Sequence, residues 1–301
     1  MIVMTKDKKT DLMIWGSVGS LGTTVVLLVL KTIAFMFTGS VAILSSLFDS
    51  VQDFMTSLIN MVSVYQAVRP ADKNHRFGHG KAQGIGGLLQ SFIIAASALL
   101  LLIESVSHIF KHEPVQQIGF GIIVILISIV LSSLLVWFQN YIIRQTRSVS
   151  IKADRAHYAG DAMMNAGVLL SLFATKFLGW AWIDGAFGVL VAIYLFHTVW
   201  QIMKEACALL MDGELDSQIR QDIKKIVLNT HKVLGVSDLR TREGGNKTFA
   251  QFNVQFDGRL SLNSAHSVLD KLEEKIKRKY PDMEVIIHAE PVQKGSKKWK
   301  S

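Results

Sequence analysis

The chain returns repeatedly to apolar runs long enough to cross a lipid bilayer. GSVGSLGTTVVLLVLKTIAFMF, LLQSFIIAASALLLLIESV and GFGIIVILISIVLSSLLVWF each approach the ~20 residues a spanning helix needs. In hydrocarbon a spanning backbone must satisfy its own hydrogen bonds, so such runs read as helices. Breaks at Gly39–Ser40, RPADKNHRFGHG, KHEPVQQ, RQTRSVSIKADR and GWAWIDG divide them. The pattern predicts six helices, at about residues 12–36, 41–66, 82–110, 116–141, 149–173 and 180–205. From about residue 210 charges occur throughout. The expected organisation is a six-helix transmembrane domain, 1–209, followed by one small domain, 210–301.

The tail reads α-β-β-α-β. DSQIRQDIKKIVLNTH and SLNSAHSVLDKLEEKIKRKYP have helical spacing. VSDLRTREGG, TFAQFNVQFDG and MEVIIHAEP are strand-like, the first two joined by a Gly-Gly-Asn turn. The fold class expected is an α-helical membrane protein with a small α+β tail.

The net charge of +8 is distributed around the spans rather than in a basic tract, which argues against nucleic-acid binding. Lys6, Lys8 and Lys9 precede the first span. Arg69, Lys73, Arg76 and Lys81 follow the second, and Arg144, Arg147, Lys152 and Arg155 surround the junction of the fourth and fifth. The opposite loops carry little beyond Lys111 and Lys176. By the positive-inside rule the N-terminus and the tail are expected in the cytoplasm, the chain being multi-pass in the inner (plasma) membrane. No cleavable secretory signal is expected; the first span does the targeting. Cys207 is the single cysteine, which excludes an intrachain disulfide and a thiolate cluster.

The second and fifth spans differ from the others. Asp49 and Asp53 lie in SLFDSVQDFMTSLI, and His157 and Asp161 lie in KADRAHYAGDAMMNAGVLL. Each pair is spaced i, i+4 and so shares one helix face. Ionisable groups inside a membrane are costly and face a bundle interior or a wet cavity. Three carboxylates and one imidazole make four ligands, the usual number for Zn²⁺, and tolerate Fe²⁺, Cd²⁺ or Mn²⁺. The alternative is a buried charge network in which Lys31 or Lys152 pairs with these acids. A second candidate is Asp72, His75 and His79 in DKNHRFGH, spaced for one side of a helical turn, although Gly78 and Gly80 suit a loop equally. Glu104, His108, His112 and Asp184 read as residues near span ends. His197 reads as a packed, hydrogen-bonded histidine, and Met163 and Met164 as helix-contact residues.

These motifs resemble the cation diffusion facilitator family, and within it the bacterial zinc and iron efflux pumps. The resemblance rests on SLFDSVQD, PADKNHRFGHGKAQ, KADRAHYAGDAMMN, DLRTR and VIIHAEP, and covers nearly the whole chain. It implies a homodimer, a cytoplasmic tail of metallochaperone (ferredoxin-like) fold, and efflux of a divalent metal cation by proton antiport. It implies that Asp49, Asp53, His157 and Asp161 form a tetrahedral transport site and that Asp72, His75 and His79 form a cytoplasmic loop site. In the tail it points to His266, His288 and Glu290 as ligands. Ser237 and Asn253 stand where His is expected and Glu290 where Asp is usual, so at most one tail metal is expected. It also implies an interlock between Lys81 and Asp212 at the dimer junction. Two rivals remain: a metal-binding membrane sensor or scaffold without transport, and a metal-dependent intramembrane enzyme. The enzyme reading is disfavoured because no HExxH occurs and all four residues are used as ligands.

Overall fold

The computed structural model describes residues 6–38, 41–111, 119–178 and 182–292. In chain order these form α1 (Lys6–Thr38), α2 (Val41–Ala67), α3 (Ala82–Lys111), α4 (Gly119–Thr146), α5 (Val149–Leu178) and α6 (Ile183–Leu210). The tail follows as α7 (Ser217–Leu228), β1 (Gly235–Glu243), β2 (Thr248–Asp257), α8 (Leu262–Lys279) and β3 (Met283–Val292). Six long helices and an α-β-β-α-β tail are thus present as expected. His112 and the expected starts of the fourth and sixth spans lie outside the described residues, as do the side chains of His108, Lys111, Lys176 and Asp184.

At 27 to 33 residues, α1 to α6 run about 40–50 Å, more than a hydrocarbon core requires. Windows in α1, α3, α4 and α6 are apolar enough over a sufficient length to cross a membrane. In α2 and α5 much of the polar load is turned inward, Asp49 and Gln52 being exceptions. Ser50, Ser57, Asn60, Ser150 and Asp154 are buried, whereas Val51, Met55 and Val62 are exposed. Lipid as solvent demands this arrangement, apolar out and polar in. Small residues allow close approach: a Cβ on Gly86 would stand 2.0 Å from Ser63 Oγ, so α2 and α3 meet nearly backbone to side chain there.

The chain forms two compact units: Met1–Pro70 with Lys81–Cys207, and Ala71–Gly80 with Ala208–Ser301. In the second, the sheet order is β1-β2-β3, with β1 and β2 antiparallel and β2 and β3 parallel. The parallel pair needs a crossover, which α8 supplies. Both tail helices are capped: Asp216 accepts from the backbone N–H of Gln218, and Ser261 from that of Ser264. Phe252, Val254 and Phe256 alternate along β2 toward one face, where Ile223, Leu272 and Ile276 of α7 and α8 close the core. Lys279 and Tyr280 both donate to Asp222 Oδ2, at 2.6 and 3.0 Å, tying the end of α8 to α7. The Lys279 hydrogen bond is the main reason the Asp222 carboxyl lies below its ordinary range.

Phe252 is wholly buried in this core. Phe252→Ala is expected to destabilise the tail by ~3–5 kcal/mol, read from its unfolding transition in denaturant. An unchanged transition would mean that this core does not hold the tail together.

Candidate metal centre

Helix α2 brings Asp53 to His157 of α5. The imidazole Nε2 lies 2.9 Å from Asp53 Oδ1 and 3.8 Å from Asp161 Oδ2. One ligand atom from each of the three residues falls within 4.8 Å of the others, close enough to converge on one ion. Exposure rises from His157 at 6% through Asp53 at 13% to Asp161 at 33%, so the group opens on the Asp161 side.

Asp49 stands one turn before Asp53 on α2, is exposed, and does not belong to this group. The i, i+4 spacing places it on the same face as Asp53, as it does Asp161 with His157, but only the α5 pair brings its side chains together, at 3.8 Å. The cations weighed as partners behave differently. Lys152 pairs with Glu205 of α6. Lys31 of α1 interacts electrostatically with both Asp49 and Asp161.

Sequence reading missed Asp154, one turn before His157 in KADRAHYAGD. It is fully buried, and its Oδ2 accepts from Asn60 Nδ2 of α2 at 3.1 Å and from Gln139 Nε2 of α4 at 2.6 Å. The available signal was its i−3 relation to His157 on the polar stripe of α5. His197 hydrogen-bonds Gln201 at 2.8 Å but is exposed rather than packed. Met163 and Met164 pack against the cluster around Ile94 and Leu195, as a contact role requires.

The second convergence is Asp72, His75 and His79. Both histidines lie 3.3 Å from Asp72, and their rings are 4.5 Å apart. The segment is a loop rather than a helical turn. Asp72 Oδ1 accepts from the backbone N–H groups of Asn74 at 2.9 Å and His75 at 2.7 Å, which is an Asx turn, and Gly78 has φ of 88°. The bond from His75 holds the ionised form and keeps the Asp72 carboxyl below its ordinary range.

The same loop packs on the β1–β2 hairpin of its own unit. The Arg242 guanidinium lies 4.8 Å from the centre of the Phe77 ring and 4.5 Å from that of Phe249. Arg242 also pairs with Asp212 at 2.9 Å. A Cβ on Gly80 would stand 1.9 Å from the carbonyl oxygen of Gly244, a backbone contact that tolerates no side chain. Lys81 immediately precedes α3.

In the tail, Ser237, Asn253 and His288 form one row across the sheet, with Glu290 two residues beyond His288. Alternation puts this row on the face opposite the helix-covered core. Ser237 Oγ donates to Glu290 at 3.4 Å. His266 on α8 instead engages Asp270, one turn along its own helix, at 3.1 Å. Within one chain the sheet therefore separates His266 from His288 and Glu290.

Sequence comparison places this architecture. The cation efflux transmembrane domain matches residues 18–211, and the cation efflux protein cytoplasmic domain matches residues 215–292. The chain belongs to the cation diffusion facilitator family of membrane transporters. Cation-efflux pump FieF of Shewanella oneidensis is 40% identical over 291 residues, covering 96% of this chain and 98% of that one. Cation-efflux pump FieF of Klebsiella pneumoniae is 39% identical over 265 residues, covering 88% of each chain. The metal-bound C-terminal domain of the CzcD transporter from Thermotoga maritima matches at 28% identity over 25% of this chain and 87% of that one, with a TM-score of 0.24.

Two measurements check the loop. Because its folded value is lowered, Asp72 contributes order that is present above the ordinary carboxylate value of 3.8 and is lost as pH falls through the depressed value. A carboxyl-carbon NMR titration should give a midpoint below 3.8, and a midpoint at or above it contradicts the Asx turn. Gly80→Val is expected to lift the loop from the hairpin and to speed backbone amide hydrogen exchange in the Asp72 Asx turn, and unchanged exchange there would contradict the close Gly80–Gly244 contact.

Proposed function

We propose that the chain exports a divalent metal cation from the cytoplasm in exchange for protons, with Zn²⁺ the leading substrate and Fe²⁺, Cd²⁺ and Mn²⁺ alternatives. The observation that carries this reading is the convergence of Asp53, His157 and Asp161 inside an apolar bundle. Carboxylates gathered at one point in a membrane repel one another and are poorly solvated, and a divalent cation relieves both penalties. Asp49 is one turn from Asp53 on the same face and completes the set if α2 or its side chain shifts. The four then give one nitrogen and three oxygens, a tetrahedral zinc set that lacks the thiolates softer ions prefer.

Proton coupling follows from the same ligands. An ion requires His157 neutral and the carboxylates ionised, so metal and protons compete for one set of atoms. A site that faces each side of the membrane in turn, with protons loading on the outer side, then moves metal outward and protons inward. The placement of basic residues favours a cytoplasmic N-terminus and tail. The relatives are named cation-efflux pumps, and the tail matches the family's cytoplasmic domain, which supports a homodimer joined in part through that domain. We assign the loop set, Asp72, His75 and His79, to an accessory site on the cytoplasmic side. The tail residues His266, His288 and Glu290 are assigned at most one ion.

In proteoliposomes, an acid-inside gradient should accelerate zinc influx, and the influx should alkalinise the lumen. Asp161→Ala or His157→Ala should reduce this exchange at least about tenfold, as loss of a ligand from a four-ligand site requires. Zinc influx without any change in lumenal pH would point to a channel, and unaltered exchange in both variants would remove the site assignment.

A further inference from the structure

Asp154 lies outside the metal-binding group, yet it is fully buried in the same helix bundle. Its contacts belong to a pattern. Asp53 of α2 meets His157 of α5 at 2.9 Å, Ser57 meets Tyr158 at 2.8 Å, and Asn60 meets Asp154 at 3.1 Å. Asn60 Oδ1 also accepts from Ser150 Oγ at 2.8 Å. From the Asp53–His157 contact to the contacts of Asn60 with Asp154 and Ser150, positions rise along α2 and fall along α5, so the two helices are antiparallel and joined by a polar ladder. The Asp53–His157 contact is its last rung at one end.

Asp154 is the rung with a third attachment. Besides Asn60, it accepts from Gln139 Nε2 of α4 at 2.6 Å, on the same Oδ2. One oxygen is therefore held from two helices, which fixes the rotation of α5 about its own axis as well as its register against α2. His157 lies three residues on, about 60° around the helix and about 4.5 Å along it. A side-chain tip ~6 Å from the axis moves ~2 Å for a 20° rotation, enough to break the 2.9 Å contact with Asp53. No water is available in a bilayer core to replace a lost donor or acceptor, so the ladder has few alternative partners.

We propose that Asp154 is a positioning residue of the transport site: by accepting hydrogen bonds from Asn60 and Gln139 it sets the rotation and register of α5 that present His157 and Asp161 to Asp53. This rests on the metal-site reading above. Its role requires an acceptor oxygen at that point, not a ligand atom for the ion. Asparagine can supply the same carbonyl to both donors, and alanine cannot.

The test is Zn²⁺ calorimetry on the full chain in detergent, with the loop set removed in all samples by Asp72→Ala, His75→Ala and His79→Ala and the tail set by His266→Ala and His288→Ala. Added to that background, Asp154→Ala should weaken binding by about ten- to a hundredfold, as loss of an outer-shell partner does. Asp154→Asn should restore affinity to within about threefold, because a neutral hydrogen bond replaces a charge-assisted one. If Asp154→Ala binds zinc unchanged, or if Asp154→Asn is as weak as Asp154→Ala, the positioning role is wrong. If His157→Ala leaves binding unchanged, the metal-site reading fails instead. Should Asp154→Ala not fold, as judged by thermal unfolding, Gln139→Met removes one donor while keeping the carboxylate. It should weaken binding in the same direction, and unchanged affinity there overturns the proposal.

Discussion

The contact between Asp53 and His157 organises the membrane unit. A carboxylate and an imidazole cannot be left isolated in hydrocarbon, so α2 and α5 must face one another wherever these residues lie. The remaining polar positions follow that constraint. Ser57, Asn60, Ser150, Asp154 and Tyr158 line the same interface, and Gln139 closes it from α4. The helices that carry no ionisable group in their apolar windows' centres are free to present Leu, Ile, Val and Phe to lipid. The convergent group and the packing of the bundle are thus one arrangement, in which Asp53 and His157 are placed by their need for partners.

The second unit is built on the opposite solvent logic, with an apolar core under a three-stranded sheet. Its unexpected member is the segment Ala71–Gly80, which leaves the end of α2 and joins the tail's contacts. Arg242 is central to that union. It lies against the rings of Phe77 and Phe249, which meet edge to face at 5.6 Å, and pairs with Asp212, so the cation is neutralised and held on an aromatic pair at once. The Asp72, His75 and His79 set is therefore anchored on a folded domain rather than carried on an independent loop.

Much of this was legible in the sequence, because the strongest signals were energetic. Apolar runs separated by loop signals announce the long helices, and acids and a histidine within two of them announce polar groups that must converge. Spacing, however, gives a face and not a distance. Asp49 shares the stripe of Asp53 yet stands outside the convergent group. Asp154 was passed over because its partners, Asn60 and Gln139, are 94 and 15 residues away, and tertiary pairing leaves no local pattern. The spacing of Asp72, His75 and His79 fits a helix as well as a loop; the Asx turn and the backbone of Gly78 decide between them. His266 and Asp270 are one turn apart on α8, a pairing visible in the sequence that competes with any ligand role for His266.

The central claim is that an ion sits among carboxylates and one imidazole between α2 and α5. X-ray absorption at the zinc edge tests it most directly, on the full chain with the loop set and the tail residues His266 and His288 replaced by alanine. The account predicts a four-coordinate shell of one nitrogen and three oxygens at about 2.0–2.2 Å, with the nitrogen lost in His157→Ala. A shell of six oxygens, or a nitrogen contribution unchanged by that substitution, would contradict it.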